Sequence, residues 1–250
     1  MAPCAARWIG SAATDMSRIA LVAALEREVA PLVRSWKTRT SEHGGRSYKF
    51  FENGDVVLVC GGIGPEAARR ATEAIIREFQ PSHIVSVGFA GGLDPMLRVG
   101  EVLEPLTVID GLNGSRIDTG CGEGTLVSFG SVAGRAQKEK LYKAYGAAAV
   151  DMEAAAVAQG AQRRGIEFSA LKVVSDGAGF NMPAMERFVG TDGRFHAAKF
   201  VLHVAVRPWL WAATIALARN SSRASRALCG VLDRYLSRAA VARISKGGTT

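Results

Sequence analysis

Short apolar runs alternate with alanine-rich stretches at helical spacing, and this alternation constrains the chain more than any other feature. Arg18–Ala24 reads as a strand and Leu25–Ser35 as the helix that follows it. Ser47–Glu52 and Asp55–Cys60 read as a hairpin joined by Asn53-Gly54, a dipeptide suited to the positive φ of a tight turn. Pro65–Phe79 reads as a helix, with proline in its first turn and Glu66 near the positive end of its dipole. His83–Gly88, Glu101–Ile109, Leu126–Phe129, Ala147–Val150 and Phe168–Val174 are further apolar runs. Gly134–Ala144 and Met152–Arg164 read as helices, and Asp110–Gly124 is rich in turn residues. Strands that alternate with helices imply βαβ units and a sheet covered on both faces, so the predicted class is α/β.

In such sheets ligands collect outside the carboxyl ends of the strands. Three kinds of residue follow the apolar runs. Glu26-Arg27-Glu28 follows the first, glycine loops follow two more (Gly61-Gly62-Ile63-Gly64 and Gly88-Phe89-Ala90-Gly91-Gly92), and Ser175-Asp176-Gly177 follows the last. Acids and glycine loops are thus expected along one edge.

Each motif also has an ordinary structural reading. Gly62-Ile63-Gly64-Pro65-Glu66-Ala67 matches the dinucleotide pattern GxGxxA, but Pro81–Gly92 holds no acid for a ribose, which excludes a nicotinamide cofactor. The loop is either a tight strand-to-helix turn or a backbone cradle beside a ligand. In Asp151-Met152-Glu153, the acids are either an N-cap and a first-turn carboxylate, or Glu153 accepts hydrogen bonds from sugar hydroxyls. Ser175-Asp176-Gly177 is either a turn or a general acid at a strand end. Glu26 and Glu28 could be simple first-turn acids.

The bulk numbers exclude several classes. With 48% apolar and 22% charged residues over 250 positions, the chain has a folded composition and enough length for one sizeable core. Four cysteines without a CxxC pair argue against a disulfide framework or zinc site and fit a reducing cytoplasm. The histidines are dispersed, so no metal and no resident cofactor is expected. Residues 1–15 show no strand or helix period and precede Met16, as an unstructured extension would. From Arg194 onward there are ten Lys/Arg and one acid, Asp233, so the basic character sits in the tail. Three units are expected: residues 1–15, a catalytic domain over 16–193, and a basic, apolar helical tail over 194–250.

The set of motifs resembles the methylthioadenosine/S-adenosylhomocysteine nucleosidase branch of the purine nucleoside phosphorylase superfamily. Four blocks between about Met16 and Gly179 bear the resemblance: IALVAALEREVAPL, GGIGPEAA, VSVGFAGGL with VGEVL, and VDMEAAAVAQ with LKVVSDGA. The resemblance implies a three-layer fold with a central mixed sheet flanked by helices, and cleavage of the bond between ribose C1′ and purine N9. It assigns Asp176 to protonate N7, which requires burial to raise its pKa. It assigns Glu28 to activate water, Glu153 to bond the ribose hydroxyls, and Met152 to pack on the sugar. Ser175, Gly64, Ala90, Gly91 and Gly92 complete the substrate site, the glycines allowing close approach of backbone. Val85–Phe89 has no arginine of the kind found before this block in phosphorylases, and Glu28 would repel phosphate. Hydrolysis is therefore expected, with phosphate as co-substrate only if the chain is a phosphorylase.

The chain departs from that pattern between Val102 and Val150. This stretch is shorter than usual and has LVSFGSV where a purine-stacking aromatic is expected, which leaves Phe129 or Phe180 for that role. The tail, Phe200–Ala218, is apolar but interrupted by Arg207 and Pro208, and too short for the ~20 residues of a spanning helix. It either packs on the domain or a partner copy, or serves with Trp209, Trp211 and the following arginines as a peripheral membrane contact. Its layout resembles the tail of hopanoid-associated phosphorylase-like proteins, which implies a lipid-linked adenosine as an alternative substrate. A non-catalytic nucleoside-binding protein is the third reading. The expected partners are a purine nucleoside and a second copy in a homodimer; nucleic acid is not expected.

Overall fold

The computed structural model describes residues 18–180, 185–188, 190, 193 and 195–247. The extension expected over residues 1–15 lies outside them.

Among the described residues eleven strands form one mixed sheet: β1 (Ile19–Ala23), β2 (Lys37–His43), β3 (Arg46–Asn53), β4 (Val56–Cys60), β5 (His83–Gly92), β6 (Val102–Leu103), β7 (Thr107–Asp110), β8 (Arg116–Asp118), β9 (Thr125–Ser128), β10 (Ala149–Asp151) and β11 (Glu167–Asp176). The helices are α1 (Glu26–Val33), α2 (Pro65–Phe79), α3 (Arg135–Tyr145), α4 (Ala154–Gln162), α5 (Ala197–Ala205) and α6 (Trp211–Gly247). The sheet order is β2-β3-β4-β1-β5-β10-β9-β7-β8, with β11 beside β5 and β6 beside β11.

The centre of the sheet is parallel and buried on both faces. β1 pairs in parallel with β4 and β5, and β5 with β11. Successive side chains of β1 enter opposite cores. Ala20 and Val22 meet α2 and α4, whereas Ile19, Leu21 and Ala23 meet α1 and α6. The result is a three-layer α/β/α arrangement, as expected.

Several elements differ from the sequence reading. β2 was not legible because its KTRTSEH sequence has no apolar alternation; it is an edge strand held by pairing to β3. β5 runs on past Gly88 to Gly92, because Gly91 and Gly92 find antiparallel partners in Val150 and Ala149. The single run Glu101–Ile109 breaks around Pro105 into β6 and β7, and β8 forms inside the turn-rich stretch. α4 starts at Ala154, not Met152, because the Asp151 carboxylate accepts the Ala154 N–H at 2.9 Å. Cys60 and Cys229 are free thiols, and Cys121 is disulfide-bonded.

Residues 224–232 of α6 belong to the main core. Ala224, Leu228, Val231 and Leu232 are buried against α1 and the β1-β5-β11 face. Leu228 is fully enclosed. Leu228→Ala should lower the unfolding free energy by ~2–5 kcal/mol, the range for deleting a buried leucine side chain. A denaturation midpoint equal to that of the parent would show that this helix does not support the domain.

Candidate functional site

A cavity of about 170 Å³ opens at the carboxyl ends of β1, β5, β10 and β11. Glu28, Glu153 and Asp176 all line it, although they lie far apart in sequence. A wider groove of about 670 Å³ adjoins it at Ser131 and Val132 but contains none of these acids. The acids therefore converge on the smaller hollow.

Glu28 sits in the first turn of α1 and is 5% exposed. Gly88 makes room for it. Its φ of +146° disfavours other residues, and a Cβ there would lie 2.7 Å from Glu28 Oε2. From behind, α6 braces the same turn, with Ser225 Oγ donating to Glu28 O at 2.9 Å. Glu28 Oε2 has no hydrogen-bond partner among the described residues. Burial, reinforced by the Glu153 charge, pushes its pKa up to about 8 against the opposing pull of Lys172 and Arg27.

Glu153 occupies the position before α4 without capping it. Instead Oε1 accepts the Gly64 N–H at 2.8 Å and Oε2 the Met152 N–H at 3.3 Å. Gly64, at φ +96°, turns its N–H to this carboxylate. Burial and then the Asp151 charge raise the Glu153 pKa to about 7.

Behind these two acids lies a buried charge network. Lys172 is 1% exposed, pairs with Asp151 Oδ2 at 2.8 Å and donates to Ser86 Oγ at 3.0 Å. Burial alone would lower its pKa, but Asp151 and Glu153 more than offset that and hold it above the ordinary lysine value. Ser128 Oγ donates to Asp151 Oδ1 and accepts the Ala155 N–H. One lysine thus faces Glu28, Asp151 and Glu153. Burial first, and then the crowding of carboxylates around one ammonium, raises the pKa values of Glu28 and Glu153.

Asp176 ends β11 at a bulge between Val174 and Asp176, which re-aims the strand's last side chain into the cavity. Ser175 Oγ donates to Asp176 Oδ1 at 2.7 Å. Lys138, from α3, donates to Asp176 Oδ2 and to Gly177 O. Its side chain is 3% exposed and that of Asp176 is 20% exposed. Asp176 is therefore half of an ion pair, with a partner that the sequence does not announce.

The family model for the phosphorylase superfamily matches residues 18–129 and 120–204. The chain belongs to the phosphorylase superfamily. A 5′-methylthioadenosine/S-adenosylhomocysteine nucleosidase from Marinomonas sp. (strain MWYL1) is 38% identical over 92 residues, which cover 35% of this chain and only 39% of that relative. A nucleosidase of the same description from Staphylococcus aureus (strain JH9) is 28% identical over 196 residues, 63% of this chain and 86% of the relative. In fold, the chain is similar to the Helicobacter pylori 5′-methylthioadenosine/S-adenosylhomocysteine nucleosidase, with a TM-score of 0.67 at 16% identity, covering 89% of this chain and 99% of that one.

Within this superfamily member, seven of the residues expected at the site line the cavity: Glu28, Ala90, Gly91, Met152, Glu153, Ser175 and Asp176. Gly64 and Gly92 do not. Gly64 acts from behind through Glu153, and a Cβ on Gly92 would meet the Asp176 carbonyl at 3.4 Å. Neither Phe129 nor Phe180 lines the cavity; its aromatic wall is Phe89. Sequence reasoning missed Lys138 and Lys172. Lys138 sits in a polar helix and gives no local signal. The isolated cation in the apolar run of β11 was a signal for Lys172, since a strand buried on both faces holds a lysine only when it is paired.

Proposed function

We propose that this chain hydrolyses the N-glycosidic bond of a purine nucleoside, a 5′-substituted adenosine, giving adenine and a ribose derivative. The observation that carries the reading is the convergence of Glu28, Glu153 and Asp176 on one cavity at the strand ends. The nucleosidases to which the chain is similar support the choice of reaction.

In this reading Glu153 accepts hydrogen bonds from the ribose hydroxyls while Met152 packs on the sugar. The unpartnered Oε2 of Glu28 takes a proton from water, and the resulting hydroxide adds to C1′. The C1′–N9 electron pair leaves with the purine, and N7 receives a proton through Asp176, whose carboxylate draws it from the Lys138 ammonium it engages and leaves that amine neutral. The proton gained by Glu28 balances the one given to the base. Ser175 holds the second oxygen of Asp176 in place. The cavity wall includes only two cations among the described residues, Arg27 and Lys138. Lys138 is engaged by Asp176, and Arg27 lies over the Phe195 ring at 5.3 Å. With two acids opposite, this lining favours water over phosphate as nucleophile.

The test is adenine release from a panel of 5′-substituted adenosines, with and without phosphate. Phosphate-independent release supports hydrolysis; a strict phosphate requirement overturns it.

The pH dependence follows from Glu28. The base must be ionised, and its pKa is raised to about 8. Values of kcat/KM should therefore climb with pH, approaching tenfold per unit below that point, and level off above about pH 8. The protonation of Glu153 near 7 should steepen the acid side. A profile that stays flat down to about pH 5 would remove Glu28 as the base.

A further inference from the structure

The first turns of α6 and the helix before it present an apolar surface that the catalytic reading does not use. Val201, Leu202, Val206, Trp209, Trp211 and Ile215 are each at least half exposed, from 50% for Trp211 to 73% for Trp209. Apolar side chains scattered singly need no explanation, but six within fifteen positions form a patch. The fold creates the patch by bending. Arg207 and Pro208 interrupt the helix, and the segments on either side, 198–205 and 208–238, meet at 116°. The side chain of Trp211 locks the elbow by donating its indole N–H to Val204 O at 3.0 Å.

The chemistry around the patch selects its occupant. Residues 195–232 contain no Asp or Glu, and Lys199, Arg219, Arg223 and Arg226 are all exposed. Trp211, Ile215, Arg219 and Arg223 recur every fourth residue along α6, opposite the face on which Leu228 and Leu232 are buried. Tryptophans at the bend thus give way to arginines along one side of one helix. A second copy placed on this surface would bring cation against cation. An anionic lipid surface matches it, with the indoles and aliphatic side chains in the acyl boundary and the arginines at the phosphates. No single described helix is long and apolar enough to cross a membrane; the two segments of the elbow reach that length and apolarity only together and across their bend, and residues 224–232 of α6 are buried in the core, which favours an elbow lying on a bilayer.

We propose that the α5–α6 elbow docks this protein on the surface of a membrane containing anionic phospholipid. The elbow is also coupled to the catalytic cavity. Ile63 and Arg27 line that cavity; Ile63 N–H donates to Gly193 O at 2.7 Å, and Arg27 lies over Phe195, whose ring packs on Phe200 of α5 at 5.5 Å. Docking through α5 therefore places the cavity near the lipid surface.

The experiment is flotation of the full chain with vesicles of phosphatidylcholine alone and of phosphatidylcholine with phosphatidylglycerol. Binding is expected only with the anionic lipid, with a blue shift of tryptophan emission, and it should weaken as salt rises. The double variant Val206→Ser/Trp209→Ser should lose binding by roughly tenfold or more. The double variant Arg219→Gln/Arg226→Gln should bind more weakly and with a shallower salt dependence. Both change exposed side chains, and an unaltered melting temperature verifies that the fold is kept. Absence of binding to either vesicle overturns the proposal. So does a Val206→Ser/Trp209→Ser variant that binds vesicles as the parent does, or one whose only change is conversion of a dimer to a monomer in sedimentation. None of these outcomes depends on whether the cavity releases adenine.

Discussion

Replacing Asp176 with Asn should lower kcat for adenine release by about 10²–10⁴-fold, the range for removing a positioned general acid. The substitution keeps the size of the side chain and its bond with Ser175, but it removes the carboxylate that Lys138 engages. The loss should fall mainly on kcat, because N7 takes up its proton as the bond breaks and not on binding. A substrate with a leaving group that needs no proton should be cleaved almost as well by the variant as by the parent. Measuring both substrates separates lost acid catalysis from a disturbed site. If Asp176→Asn releases adenine at the parent rate, Asp176 is not the acid, and a non-catalytic binding role returns to consideration.

Glu28→Gln should show opposite effects on activity and stability. Activity should fall by about 10²–10⁴-fold through loss of the base. Stability at pH 8 should rise, by on the order of 5 kcal/mol at most, because a desolvated acid next to Glu153 is replaced by a neutral amide. The pH dependence gives the sign. In the folded chain Glu28 keeps its proton up to about pH 8, while an unfolded glutamate releases it near 4.5. Between these values the folded state binds more protons, so stability is fully present below about 4.5 and is lost as pH rises through about 8. Melting temperatures of the parent should decline across this window, and those of Glu28→Gln should decline less. A variant that is less stable than the parent at pH 8 would mean that Glu28 is a structural anchor and not a base held at a cost to the fold.

This opposition has a structural source. A single buried lysine, Lys172, faces three acids, Glu28, Asp151 and Glu153, all of which line the cavity. A protein built only for stability would not bury such an excess of carboxylates. Gly88, Gly64, Ser86 and Ser128 are the concessions of the fold to that network, each supplying space or a hydrogen bond.

The layered α/β class, the hairpin at Asn53-Gly54, helix α2 and the strand ends bearing Glu28 and Asp176 were determined by sequence alone. Hydrophobic period, turn residues and proline position are local properties, and they act the same way in any fold. The identity of the acids was legible for the same reason: they stand immediately after apolar runs. What only the tertiary structure decided depends on contacts between distant segments. Lys138 meets Asp176 across 38 positions and Lys172 meets Ser86 across 86, so nothing near either lysine in sequence announces its partner. The same holds for Phe89 as the aromatic wall and for the edge strand Lys37–His43, which exists because Arg46–Asn53 offers it a ladder. It holds also for the long C-terminal helix, whose residues 224–232 are core while its first turns are exposed, a division set by which residues reach α1 and not by hydropathy.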